Sequence, residues 1–177
     1  MTVPVTPRLL LLPLTRTVMA RRLETESFTL TLGGPGGPLE VHFGPEWPGD
    51  PLPLFPGKLA RLAPGQEEVA GSFIAVHRDT GDAVGQLGAK GRPSAAGAQE
   101  IGYGFNPAVW GQGLATEGVG ALVAHLHAQP DVYAVTAETA VGNPASARVL
   151  MKLGFRQVGT GHSEDDGPLL LWVHRPA

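Results

Sequence analysis

The chain has no cysteine, few aromatic residues (6%), and charged side chains at only 16% of its 177 positions. Without thiols there is no disulfide framework, thiolate zinc site, iron–sulfur cluster or cysteine nucleophile. Neither charge sign dominates: 13 basic residues face 16 acidic ones, for a formal net charge of -3. That balance argues against nucleic acid or an anionic membrane surface as the main partner. Long apolar runs are also missing. The run at residues 9–14 is interrupted by Pro13, and none approaches the about 20 apolar residues a bilayer span requires. The same run is too short for a secretory signal and is followed by Arg16, Arg21 and Arg22. A cytoplasmic location is therefore expected.

Apolar residues are plentiful at 42%, and the length suits one domain, 1–177, able to bury about two-thirds of its unfolded surface. Glycine (25) and proline (17) are abundant but clustered, with 16 of them inside residues 33–65. Prolines remove backbone donors and fix φ, so no long regular element is expected there. Leu39, Val41, Phe43, Trp47, Leu52, Leu54 and Phe55 instead predict a packed, irregular region with room for a short strand.

The remainder reads as alternating strands and helices. Residues 9–14 predict a strand, and 15–23 a helix capped by Thr15. Residues 72–78 and 83–89 predict a hairpin turning at Asp79-Thr80-Gly81-Asp82. A strand at 99–106 leads to Trp110-Gly111-Gln112-Gly113 and then a helix with Ala115, Val119, Leu122, Val123 and Leu126 on one face. Residues 131–139 suit another strand. Asn143 then caps a short helix with Pro144 at its first position and Gly154 as its stop. Residues 155–159 and 169–174 close the pattern as a strand pair around Ser163-Glu164-Asp165-Asp166-Gly167. Strands on both sides of two helices imply a mixed sheet of the α+β or α/β kind.

Small residues at the Gly111–Gly113 turn let main-chain N–H groups approach a ligand, and the first helical turn with its dipole suits a pyrophosphate. An ordinary tight turn before a helix fits the same spacing. No lysine follows the glycines, and Thr116 fills the third glycine slot of the dinucleotide fingerprint; neither the ATP-binding loop nor that fingerprint is present. His125 and His127, two apart on a helix, face different ways and suit no shared zinc ion.

Three segments together resemble the GNAT superfamily of N-acetyltransferases: Glu100-Ile101-Gly102-Tyr103-Gly104-Phe105, Trp110-Gly111-Gln112-Gly113-Leu114-Ala115-Thr116-Glu117, and Asn143-Pro144-Ala145-Ser146 followed by Lys152-Leu153-Gly154-Phe155. The branch most similar is that of ribosomal-protein alanine N-terminal acetyltransferases, over residues 73–159. The resemblance implies a single mixed α+β domain, with acetyl-CoA as co-substrate, no metal, and a primary amine as acceptor. It places the pyrophosphate on Gln112, Gly113, Leu114, Ala115 and Thr116. Trp110 stands where the wider family favours Arg or Gln, which removes one side-chain phosphate contact. Phe105 and Asn106 match the strand end where the pantetheine arm pairs with the backbone and the thioester carbonyl finds a donor, and Asn143 matches a residue near that arm and the reacting carbonyl.

Amine acylation requires a base to remove a proton from the ammonium form and a donor for the tetrahedral oxyanion. Glu100 is the first candidate base and Glu138 the second; either also fits a carboxylate paired with an arginine or with backbone donors. The slot where many superfamily members carry a tyrosine is Leu150. Ser146 is the candidate proton donor to the departing thiolate, with close helix packing as its alternative role. The chain is read as acting on a protein N-terminus or a small-molecule amine, as a monomer or homodimer. A non-catalytic acyl-CoA-binding module and a transferase of longer acyl groups such as succinyl remain as alternatives.

Overall fold

The computed structural model describes residues 3–177. Five leucines, Pro13 and Thr15 make up the first strand, β1 (Leu9–Thr15), which lies at a sheet edge where the missing proline donor is tolerated. Its register shifts between Pro13 and Thr15. Thr15 then caps α1 (Arg16–Glu24) by accepting a hydrogen bond from the Val18 N–H, as its position predicts. The other elements are β2 (Phe28–Gly34), β3 (Gly37–Phe43), α2 (Phe55–Arg61), β4 (Glu68–His77), β5 (Ala83–Ala89), β6 (Ala98–Phe105), α3 (Leu114–His127), β7 (Ala134–Ala140), α4 (Pro144–Lys152), β8 (Arg156–Ser163) and β9 (Gly167–His174).

Seven strands hydrogen-bond in the order β1-β4-β5-β6-β7-β9-β8, and β2 with β3 forms a separate ladder. β6 and β7 run parallel while β1–β4, β4–β5, β7–β9 and β8–β9 are antiparallel, so the sheet is mixed and the fold is α+β. The chain divides into two compact units, residues 1–88 with 103–121, and residues 89–102 with 122–177.

The first unit holds a core of Leu12, Leu14, Val18, Met19, Val41, Phe43, Trp47, Phe55, Ile74, Val76 and Ala83. Part of that core comes from residues 33–65, where the expectation of an irregular segment is corrected. β2 and β3 form a regular hairpin with Phe28 opposite Phe43, Leu30 opposite Val41 and Leu32 opposite Leu39. The two phenylalanine rings stack with centroids 4.6 Å apart. The glycines at 33–37 make the turn, and the isolated two-stranded ladder leaves Pro38 no donor to withhold from a further strand. Beyond the hairpin, Trp47 is fully buried and its indole N–H donates to the Gly85 carbonyl at 2.9 Å. In the second unit, Ala134, Val135 and Ala137 of β7 are buried with Leu150 of α4, Phe155, and Leu169 and Trp172 of β9. The Trp172 indole N–H donates to the Thr139 hydroxyl at 2.9 Å.

Gly85 allows a close approach of backbone in the first unit: a Cβ there would lie 2.7 Å from the Gly104 carbonyl oxygen and 2.8 Å from the Phe105 ring. Gly85→Ala should therefore cost about 1–3 kcal/mol by urea unfolding. Gly33→Ala, whose Cβ would meet nothing within 4 Å, should stay within about 0.5 kcal/mol of the parent.

Candidate functional site

The end of β6 turns through a short 3-10 segment, Pro107–Val109, before the glycines. Gly111 and Gly113 both take φ of 78°, a left-handed conformation that strains any other residue. The helix begins at Leu114, and the Glu117 N–H reaches the Gly113 carbonyl at 3.1 Å. The N–H groups of Leu114, Ala115 and Thr116 therefore precede the first intrahelical bond and have no acceptor within the helix. A Cβ at Gly111 would meet nothing within 4 Å, so the turn presents its main chain openly.

An N-terminal residue braces this turn. The Arg8 guanidinium donates from Nε to Glu117 Oε2 at 2.8 Å and from Nη1 to the Gln112 carbonyl at 2.8 Å. The Arg8 main-chain N–H and the Thr6 hydroxyl both donate to the other Glu117 oxygen, Oε1. Burial pushes the Glu117 carboxyl up, but the Thr6 and Arg8 hydrogen bonds together with the Arg8 charge outweigh it and hold the group below its usual 4.5. Sequence reading missed this arrangement, because the partners are 109 residues apart and Arg8 belongs to none of the motifs.

Phe105 and Asn106 are buried beside the turn in sequence and share the first unit with it. Their main-chain groups are occupied: the Phe105 carbonyl accepts from the Trp110 indole N–H at 2.8 Å, and the Asn106 N–H donates to the Val84 carbonyl at 2.8 Å. The Asn106 amide donates to the Ala83 carbonyl at 3.1 Å. An open cavity of about 570 Å³ is lined there by Phe28, His42, Phe43, Asp82 and Asn106, among others.

In the second unit Asn143 and Ser146 come together as the sequence predicts. The Asn143 side chain accepts from the Ser146 N–H at 3.3 Å and donates from Nδ2 to Ser146 Oγ at 3.1 Å. Glu100 stands opposite Thr136 in the β6–β7 ladder, so strand alternation puts Glu100, Thr136 and Glu138 on one sheet face. Glu100 is partly exposed and lies 3.7 Å from the Lys90 ammonium, a pair worth at most about 1 kcal/mol. Glu138 is exposed, one residue past the last β6–β7 pair, Ile101 with Ala137. Leu150 is fully buried. His127 pairs with His174 rather than His125, Nε2 to Nδ1 at 2.9 Å, a contact the local spacing does not show. Burial, with the neighbouring His174 charge, holds the His127 imidazolium below its ordinary range.

Residues 57–156 match the family model described as the acetyltransferase (GNAT) domain. The chain belongs to the GNAT acetyltransferase family. The matched segment of this GNAT chain contains β6, the glycine turn, α3, β7 and α4. No curated protein matches it. A GNAT-family acetyltransferase from Bacillus anthracis is 19% identical over 98% of each chain with a TM-score of 0.65. AAC(6')-Ib, solved with ribostamycin and coenzyme A, is 24% identical with a TM-score of 0.50 over 59% of this chain and 64% of its own. The chain thus spans less than two-thirds of that relative's length. The ribosomal-protein-S5-alanine acetyltransferase of Vibrio fischeri is 18% identical over 59% of this chain and 60% of its own, with a TM-score of 0.54. These likenesses establish the fold; the alanine-acetyltransferase branch is a distant structural neighbour. No helix among the described residues is long and apolar enough to cross a membrane.

The sign of the Glu117 shift fixes a pH effect. A depressed carboxyl stabilises the fold fully above its unfolded value and loses that contribution as pH falls through the folded one. Glu117→Gln should cost about 1–3 kcal/mol at pH 7, where it leaves Arg8 without its carboxylate. As pH falls from 4.5 through the depressed folded value the variant should approach the parent, as chemical unfolding at several pH values will show.

Proposed function

We propose that residues 1–177 work as one acetyl-CoA-dependent N-acetyltransferase domain that passes the acetyl group directly to a primary amine. The supporting observation is the pair of left-handed glycines delivering the acceptor-free N–H groups of α3, inside the segment that matches the GNAT model. In this reading Gln112, Gly113, Leu114, Ala115 and Thr116 hold the pyrophosphate of acetyl-CoA with main-chain donors and the positive helix end. Phe105 and Asn106 receive the pantetheine arm. The arm takes the Phe105 carbonyl in exchange for the Trp110 indole.

The Asn106 N–H serves the β5–β6 ladder through Val84, so the oxyanion donor is assigned to Asn143. The incoming ammonium loses a proton to Glu100, or in its place to Glu138, directly or through water. The nitrogen forms its bond to the thioester carbon, the oxyanion collapses, and the carbon–sulfur bond breaks. Ser146, oriented by Asn143 at 3.1 Å, supplies the proton to the departing thiolate and regains one from the acylated nitrogen, which sheds its second proton as the amide forms.

The acceptor class is a protein N-terminus or a small-molecule amine. Selectivity is placed in residues 33–65, whose β3 lines the cavity beside Asn106, and in the 163–167 turn.

Coenzyme binding tests the reading most directly. Gly113→Asp adds a negative charge and a strained side chain to the turn and should weaken CoA at least tenfold, about 1.4 kcal/mol or more. Unchanged affinity by calorimetry would remove the turn as the coenzyme site.

The proton roles separate kinetically in a CoA-release assay across an amine panel with acetyl, propionyl and succinyl donors. Ser146→Ala should lower kcat about tenfold or more with little change in the KM for acetyl-CoA. Equal loss in both terms would assign Ser146 to packing. Glu100→Gln should lower kcat more than Glu138→Gln; the reverse order would make Glu138 the base.

A further inference from the structure

The glycine turn carries no basic side chain of its own, since residues 110–116 read Trp-Gly-Gln-Gly-Leu-Ala-Thr. The first turn of α3 instead holds an anion, Glu117. A carboxylate there suits the helix dipole of the free protein but repels a second anion brought to the same N–H groups. Arg8 answers both problems. Its Nε neutralises Glu117 and its Nη1 fixes the Gln112 carbonyl. Its Nη2 lies 3.4 Å from where a Cβ on Gly113 would stand, and has no acceptor among the described residues. The side chain keeps 41% of its surface exposed, so its remaining donors stay open to solvent beside the turn.

We propose that Arg8 is a positioning residue for the coenzyme: it clamps the Gly111–Gly113 turn from the N-terminal segment and cancels the Glu117 charge that would otherwise repel the pyrophosphate. The planar fork is required because two acceptors, a carboxylate and a carbonyl, are engaged at once. A lysine brings the charge to one of them only. This inference rests on the coenzyme reading given above and assigns to it a residue outside the matched segment, 57–156.

The test compares CoA with S-acetylpantetheine, which carries the thioester arm but no pyrophosphate. In the full chain, Arg8→Gln should raise the Kd for CoA about tenfold and the KM for acetyl-CoA in parallel. Arg8→Lys should fall between the two. The wild-type Kd should rise more steeply with salt than that of Arg8→Gln. The KM for S-acetylpantetheine should rise at least fivefold less than that for acetyl-CoA, which a general loosening of the fold would not produce. A Kd for Arg8→Gln within twofold of wild type, or equal losses for both donors, overturns the proposal. Gly113→Asp separates the two levels: if it leaves CoA binding intact, the coenzyme reading fails; if it weakens CoA while Arg8→Gln does not, only the role of Arg8 fails.

Discussion

Three main-chain N–H groups at the start of α3 lack helical acceptors, and the sequence leading to them presents them outward. Such donors are strong, fixed and oriented along the helix dipole, so they suit an anion better than any flexible side chain does. Their usefulness depends on the turn keeping its shape. Two residues at φ of 78° permit that shape without stiffening it, because glycine is the least restricted residue. Rigidity comes from outside the turn: Arg8, Thr6 and Glu117 tie the N-terminal segment to the first turn of α3 through both carboxylate oxygens. The same carboxylate that anchors the turn is unfavourable to an incoming phosphate, and its pairing with Arg8 reconciles the two requirements.

Local signals were legible where one short stretch contains all the determinants. Asn143, Pro144 and Gly154 define α4 because cap, first-turn proline and left-handed stop act within the helix itself. The 163–167 turn and the 79–82 turn were readable for the same reason. The β2–β3 hairpin was not, although Phe28, Leu30 and Leu32 alternate with threonines. The density of glycine and proline beginning at residue 33 outweighed that alternation, yet those residues sit at the turn and on the border of a two-stranded ladder, where they do little harm.

The candidate site divides along the same line. The left-handed glycines before α3 and the Asn143 cap of α4 each belong to a contiguous motif that determines them locally. The long-range contacts do not. Arg8 meets Glu117 across 109 residues, His127 meets His174 across 47, and Trp47 meets Gly85 across 38. Each joins side chains or carbonyls whose neighbours in sequence are unremarkable, so only tertiary packing brings them together.

The behaviour of β6 links fold to chemistry. Its parallel ladder with β7 ends at Ile101 and Ala137, and the strand continues to Phe105 without further β7 pairs. A buried carbonyl left unpaired costs about 1–3 kcal/mol, and Phe105 avoids that cost by accepting from the Trp110 indole. An indole on a side chain that is 69% exposed is a partner that can be exchanged for an amide N–H of a ligand with little net change in hydrogen bonding. A tryptophan that brings no charge to the glycine turn thus has a role there: it satisfies the strand end, and in the proposed function it gives that carbonyl up to the amide-bearing arm of the coenzyme.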